Sequence, residues 1–361
     1  VTPLHRLLAA RIAASGPIRL DDYMAECLLH PRYGYYATRD PLGRAGDFVT
    51  APEISQMFGE LLGLMLAQSW LDQGAPAPFA LAELGPGRGT LMADILRATR
   101  GVPGFHAGLR LHLLEASPVL RRAQAAALRG AEPVWIGTAD ELPDLPLWLI
   151  ANEFFDALPI RQFVRDPGGW REVMVGLQGE RLVRGLGPPA PLAALAHRLA
   201  DTVPGEVIEL RPAAAPIMAV LADRIGRHGG AAVIVDYGGW RSRGDTFQAV
   251  AGHAPADPFA APGSADLTAH VDFEALAAAA PGLAASPLVP QGRLLTRLGI
   301  GMRAARLAQG LSGAALAAHL AATRRLTDPA EMGSLFQAMA LVRQGSPLPP
   351  GFAPDSDSAA S

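Results

Sequence analysis

The spacing of apolar residues changes period several times along this chain, and each change marks an element. Leu4, Leu7, Leu8 and Ile12 recur at helical intervals, which predicts a helix over 3–14. Helices are also expected over 20–29 and 53–72, the last opened by Thr50, Pro52 and Glu53 in the pattern of a capping box. The apolar run 79–85 reads as a buried strand and is followed by a helix over 88–98. The rhythm then repeats with strand 109–115, a helix to 128, a weaker strand 133–137 and a very apolar strand 146–151. Strands alternating with helices predict a parallel sheet covered on both faces. Short runs at 160–165, 170–177 and 181–184, separated by Asp-Pro-Gly-Gly and Gln-Gly, predict an antiparallel meander. A proline- and alanine-rich stretch, 187–204, is expected to hold one helix. Strand 206–210, helix 212–227 and strand 231–237 resume the alternation, and a last strand is expected near 335–342.

These elements predict a helical, lid-forming extension over 1–75 and an α/β core over 76–344. Within the core, 160–205 reads as a small β-rich insertion and 240–330 as helical elements on the substrate side. The segment 345–361, rich in Pro, Gly, Ser and Asp, reads as a disordered tail. The length of 361 residues and a hydrophobic share of 50% allow a sizeable core, which excludes wholesale disorder. A single cysteine, Cys27, excludes an internal disulfide and a cysteine-based zinc site. The net charge of -3 gives no basic footprint for nucleic acid. All 31 basic residues are arginine, so a P-loop lysine and a Schiff-base lysine are both excluded. No apolar run is long enough to span a bilayer. The histidines lack ligand spacing, and no metal is expected.

The first strand ends in Glu83-Leu84-Gly85-Pro86-Gly87-Arg88-Gly89-Thr90. Glycines there allow a sharp turn and a close ligand approach, and the next helix begins with free N–H groups. The spacing is one residue tighter than the dinucleotide fingerprint; a nicotinamide or flavin nucleotide remains an alternative at this point. Glu115, closing the second strand, is placed to accept from ribose hydroxyls, a role it would play for either cofactor. Asp140, after the third strand, is a candidate for the adenine amino group. After the fourth strand, Asn152-Glu153-Phe154-Phe155-Asp156 lies where open α/β sheets bind ligands. Glu153 and Asp156 are predicted to share one side of a helical turn and to grip a cation, with Phe154 and Phe155 as walls. Asp236 marks the carboxyl edge of another strand. Gln248 and His270 are candidates on the substrate side. Asp47, Thr50 and Glu53 are expected on a lid drawn from 31–60.

Taken in order, several segments resemble one family of S-adenosylmethionine-dependent methyltransferases, typified by a mitochondrial complex I assembly factor that methylates a protein arginine. The matching segments are Asp40-Pro41-Leu42-Gly43, Gly46-Asp47-Phe48, Thr50 through Gln56, Glu83 through Thr90, Glu115 through Pro118, Asn152 through Pro159, Asp236-Tyr237-Gly238 and Asp266 through Phe273. The resemblance implies a Rossmann-like class I methyltransferase sheet with an N-terminal helical extension and a small β-rich insertion. It implies S-adenosylmethionine as cofactor, held by Glu83, Gly85, Gly87, Gly89 and Glu115. It also implies a protein substrate, with Asn152, Glu153 and Asp156 as catalytic candidates. A silent, cofactor-binding assembly protein is the other alternative. The compartment would be the cytoplasm in a bacterium, or the mitochondrial matrix for a processed organellar protein. The oligomeric state is left open.

Overall fold

The computed structural model describes residues 1–38 and 50–353, which divide into two compact units. Three chain segments build each unit: Val1–Phe48, Asp156–Ala215 and Arg241–Asp272 for the first, and Val49–Phe155, Pro216–Trp240 and Phe273–Ser361 for the second. Asp47 and the neighbouring segments 40–43 and 46–48 lie outside the described residues.

The second unit carries the parallel sheet. Its strands are β1 (Phe79–Leu84), β2 (Leu109–Leu114), β3 (Val134–Ile136), β4 (Leu147–Asn152), β5 (Gly230–Gly239), β6 (Leu283–Ala285), β7 (Val289–Pro290) and β8 (Phe336–Arg343). Across the sheet the order is β6-β8-β5-β4-β1-β2-β3, with β7 paired to β8. Strands β5, β4, β1, β2 and β3 are parallel, and β8 runs antiparallel to β5. Every residue of β1 and of β4 is buried, as expected of strands covered on both faces. From β1 the chain builds outward to β3, then returns to add β4 on the other side of β1. The carboxyl ends of β1 and β4 therefore form the switch point at which such sheets bind ligands.

Helices Gln56–Asp72 and Thr90–Ala98 pack closely on one another because Gly63 has no side chain. A Cβ there would stand 2.8 Å from the Ile95 Cα. Trp148, Phe79, Phe105 and Trp70 fill the core beneath them, and full burial of such side chains stabilises by roughly 1.5–3 kcal/mol each.

In the first unit, helices Pro3–Ser15 and Leu20–Leu29 pack with a twisted antiparallel sheet of Ile18–Arg19, Gly169–Gln178, Arg161–Asp166 and Val207–Leu210; strand Arg181–Ala190 also pairs with Gly169–Gln178. A second small sheet holds Ala254–Ala256, Gln248–Ala251 and Asp266–Thr268. Leu4, Leu8 and Ile12 are buried as the helical period predicts, whereas Leu7 faces outward.

Several expectations need correction. The helix expected over 53–72 is interrupted: Ala51–Ile54 forms one turn, Ser55 is extended, and its hydroxyl accepts from the Met57 N–H at 3.3 Å to start Gln56–Asp72. Thr50 occupies the cap position of that turn without a side-chain bond. The stretch 240–330 is not wholly helical, since three short strands lie within 248–268. The stretch 187–204 starts in a strand and holds a 3-10 helix, Ala193–Leu199. Residues 345–353, expected to be disordered, are placed, with Phe352 in the core of the second unit.

Candidate active site

The turn after β1 is built from three glycines in the left-handed region, with φ of 65° at Gly85, 55° at Gly87 and 84° at Gly89. A Cβ on Gly85 would lie 2.8 Å from the Phe154 ring, so the loop after β1 meets the bend after β4. Pro86 is buried between them in sequence, and its carbonyl accepts from the Gly89 N–H at 2.8 Å. The turn is fixed from below by Gln124, which is fully buried. Its Nε2 donates to the Gly87 carbonyl at 2.7 Å and to Glu115 Oε2 at 3.0 Å, and its Oε1 accepts from the Trp135 indole at 2.8 Å.

Glu115 also accepts from the Ser117 N–H at 2.7 Å. Burial raises its pKa, and these two donors partly offset the rise. Glu83, 3% exposed, has one carboxylate oxygen with no hydrogen-bond partner among the described residues. Burial first, and the Glu115 charge second, push the Glu83 carboxyl up to about 8. The Asn152 Oδ1 at the end of β4 is likewise buried and unpartnered among the described residues.

These atoms test the fit of a cofactor. Unsatisfied buried acceptors call for donors. S-adenosylmethionine brings an ammonium and two ribose hydroxyls, and a backbone turn without side chains gives it room. A dinucleotide would instead set an anionic diphosphate, which brings no donors, at the glycine turn beside the buried Glu83 carboxyl.

Beyond β4 the chain bends sharply rather than forming the helical turn predicted for 153–156. Glu153 adopts φ 51°, rare for a residue with a side chain, and its N–H donates to the Val235 carbonyl at 2.9 Å. Its Oε1 accepts from the Ala51 N–H at 3.1 Å and from Asn152 Nδ2 at 3.0 Å. Asp236, fully buried, holds the bend by accepting from the Phe155 N–H at 3.1 Å and the Tyr237 N–H at 3.0 Å. Glu53 accepts from the Thr90 hydroxyl at the start of the helix after the glycine turn. Thr50 takes part through its carbonyl, which accepts from the Glu53 N–H at 3.0 Å.

The second unit thus brings together Glu83, Gly85, Pro86, Gly87, Gly89, Glu115, Asn152, Glu153, Phe154, Phe155, Asp236, Thr50 and Glu53. Asp140 is exposed in the turn Ala139–Glu141 that follows β3.

Asp156, Gln248 and His270 fall in the first unit. The Asp156 carbonyl accepts from the Ala269 N–H at 3.1 Å. Gln248 is exposed on its strand, in register with Thr268. The His270 N–H donates to the Thr246 hydroxyl at 2.8 Å, and burial lowers the His270 pKa, with the Glu209 charge opposing and the Arg211 charge adding to the shift. Among the described residues no group of His, Cys, Asp and Glu is arranged to hold a metal ion.

Sequence reasoning missed Gln124, Ala51 and Thr90. For Gln124 a signal existed: it sits four residues after Leu120, on the buried side of helix Pro118–Ala127. The Ala51 contribution is a backbone N–H, which carries no residue signature.

Comparison with known proteins supports the same cofactor. The chain is 38% identical to the mitochondrial protein arginine methyltransferase NDUFAF7 of Bos taurus, over 95% of this chain and 84% of that protein. It is 37% identical to its counterpart in Homo sapiens, again over 95% and 84%. A crystal structure from Burkholderia thailandensis bound to S-adenosyl-homocysteine superposes with a TM-score of 0.81 at 29% identity, covering 99% of this chain and 94% of that one. These relatives are named as methyltransferases and give the nicotinamide alternative no support. No helix among the described residues is long and apolar enough to cross a membrane. Residues 61–290 match the profile of one methyltransferase family, and with these relatives they establish that the chain belongs to the S-adenosyl-L-methionine-dependent methyltransferases.

Proposed function

We propose that this enzyme transfers a methyl group to a guanidinium nitrogen of a protein arginine. The methyltransferase activity follows from the family; the acceptor is inferred from the names of the relatives and from the chemistry of Glu153. When bound, S-adenosylmethionine supplies an electrophilic methyl on a sulfonium. The chain must then position a guanidinium, whose pKa above about 12 makes it a poor nucleophile. A carboxylate suits that task, because it localises the positive charge on the nitrogens it contacts and leaves the remaining one to attack.

The observation that carries the reading is the Glu153 carboxylate. It is held by the Ala51 N–H and the Asn152 amide on the bend that touches the glycine turn. Both donors engage Oε1 and fix the orientation of the carboxylate on the bend. Glu83 and Glu115 are assigned to the cofactor ammonium and ribose, and Asp140 to its adenine. Phe154 and Phe155 are assigned to the walls. The compartment follows the source of the chain: the matrix if it resembles its mitochondrial relatives in location, the cytoplasm in a bacterium.

The test is transfer of labelled methyl from S-adenosylmethionine into whole-cell extract, with mass spectrometry of the modified residue. Methylarginine in one or a few proteins is expected. Glu153→Gln should lower turnover by about a hundredfold or more, with cofactor affinity changed less than about threefold. Label on a different residue type would overturn the acceptor, and undiminished turnover in the variant would overturn the role of Glu153. Cofactor binding with no methylated product would favour the silent assembly protein.

A further inference from the structure

The pairing of β2 with β3 stops at Leu114 and Ile136. One more bond is made beyond it, from the Glu115 N–H to the Ile136 carbonyl at 3.3 Å. In a parallel ladder the Glu115 carbonyl would next accept from the Thr138 N–H. That donor is turned away. The Gly137 and Thr138 N–H groups go instead to Glu141 Oε1 at 2.8 and 2.9 Å, in the capping box that opens the turn Ala139–Glu141. The two strands therefore part at their carboxyl ends, the edge at which such sheets bind ligands.

Arg121 takes the place of the lost bond. It lies in helix Pro118–Ala127, one turn after the cap residue Ser117, and its side chain reaches back over the start of the helix, as long helical side chains do. Its Nε and Nη2 donate to the Glu115 carbonyl at 2.8 and 2.5 Å, and Nη2 also reaches the Ile136 carbonyl at 3.3 Å. One planar fork thus fastens both strand ends, a geometry that the point charge of a lysine does not reproduce. Gln124, three residues further along this helix, holds the carboxylate of the same glutamate, as the Ser117 N–H does. Each Glu115 carboxylate oxygen takes one of these donors and keeps a lone pair for another. The two hydroxyls of a ribose match that remaining capacity. We propose that Arg121 is a positioning residue for the cofactor ribose: it holds the Glu115 backbone where the ladder has ended, and so sets the carboxylate to accept from both hydroxyls. The proposal rests on the assignment of Glu115 to the ribose.

The test is a cycle between protein and ligand on the full chain. Adenosine and 2′,3′-dideoxyadenosine differ only in the two ribose hydroxyls, and their affinities are measured by calorimetric displacement of S-adenosyl-homocysteine. Wild type should favour adenosine by about thirtyfold or more, and Glu115→Gln should lose most of that preference. Arg121→Met should reduce the preference to about threefold or less, whereas a general loosening of the fold would weaken both ligands alike and leave their ratio standing. Arg121→Lys, which keeps the charge without the fork, should fall between Arg121→Met and wild type, and it carries the test should Arg121→Met fold poorly. A wild-type preference near one overturns the ribose reading of Glu115 and the proposal with it. A preference that Glu115→Gln removes and the folded Arg121 variant retains overturns the proposal alone and leaves Glu115 on the ribose.

Discussion

Glu83 is the residue at which the physics of the glycine turn is most directly read. Its carboxyl is buried on β1, and burial together with Glu115 pushes it from the usual 4.5 up to about 8. Below pH 4.5 the native and unfolded chains both hold this proton. Between there and about 8 the unfolded chain releases it while the native chain keeps it. Its contribution to stability is therefore fully present at low pH and is lost as pH rises, by up to about 1.4 kcal/mol per pH unit. Glu83→Gln removes that slope. In cofactor-free protein, urea midpoints should place the variant near wild type at pH 5 and clearly above it at pH 8. The same gap at both pH values would show that Glu83 is ionised throughout. Glu83 stood out in the sequence because an acid before a glycine turn at a strand end has a chemical meaning, and the structure buries it there. Gln124 was not read, because its meaning arises only when three separate strands and turns converge on one amide.

At the scale of elements, the buried strands were the most legible feature. β1 and β4 read as apolar runs because both of their faces are covered. The bend after β4 was misread as a helical turn: Glu153 and Asp156 stand three apart in a sequence that permits helix. The backbone is turned away from it by bonds to Val235 and Asp236, partners about 80 residues distant. The turn Ala51–Ile54 was hidden for the same reason. Its first N–H is taken up by Glu153, and Glu53 accepts from Thr90, so it is held by tertiary bonds rather than by its own cap. The lid proposed for 31–60 can be tested on this described part of it. The turn is also anchored by the buried Ala51, and a ligand between the glycine turn and Glu153 would add to what holds it closed. Hydrogen exchange over peptides spanning 51–60 should slow by about tenfold or more on adding S-adenosyl-homocysteine. Equal exchange with and without it would make the segment a static wrap.

At the scale of the whole molecule, composition misled where a single side chain decides. The stretch from Gly345 to Pro350 has the proline and glycine content of a tail, yet the chain continues to a buried anchor. Phe352 is 1% exposed within the hydrophobic cluster that also holds Leu294 and Leu295. Arg297 Nη1 donates to the Gly351 carbonyl at 2.7 Å, fixing the approach. Averages over a window cannot register one aromatic ring that closes a core. Truncating it leaves a cavity as well as losing its transfer energy, so Phe352→Ala should destabilise the chain by about 3–5 kcal/mol. That is a large part of the roughly 5–15 kcal/mol available to a folded domain. The variant should therefore unfold at a distinctly lower urea concentration, with an unchanged dependence on urea if the same surface is exposed. Arg297→Met, which removes the bond to the Gly351 carbonyl, should cost far less than Phe352→Ala. A loss below about 1 kcal/mol for Phe352→Ala would mean that the ring contributes nothing its neighbours cannot replace, and that 345–353 behaves as the tail its composition describes.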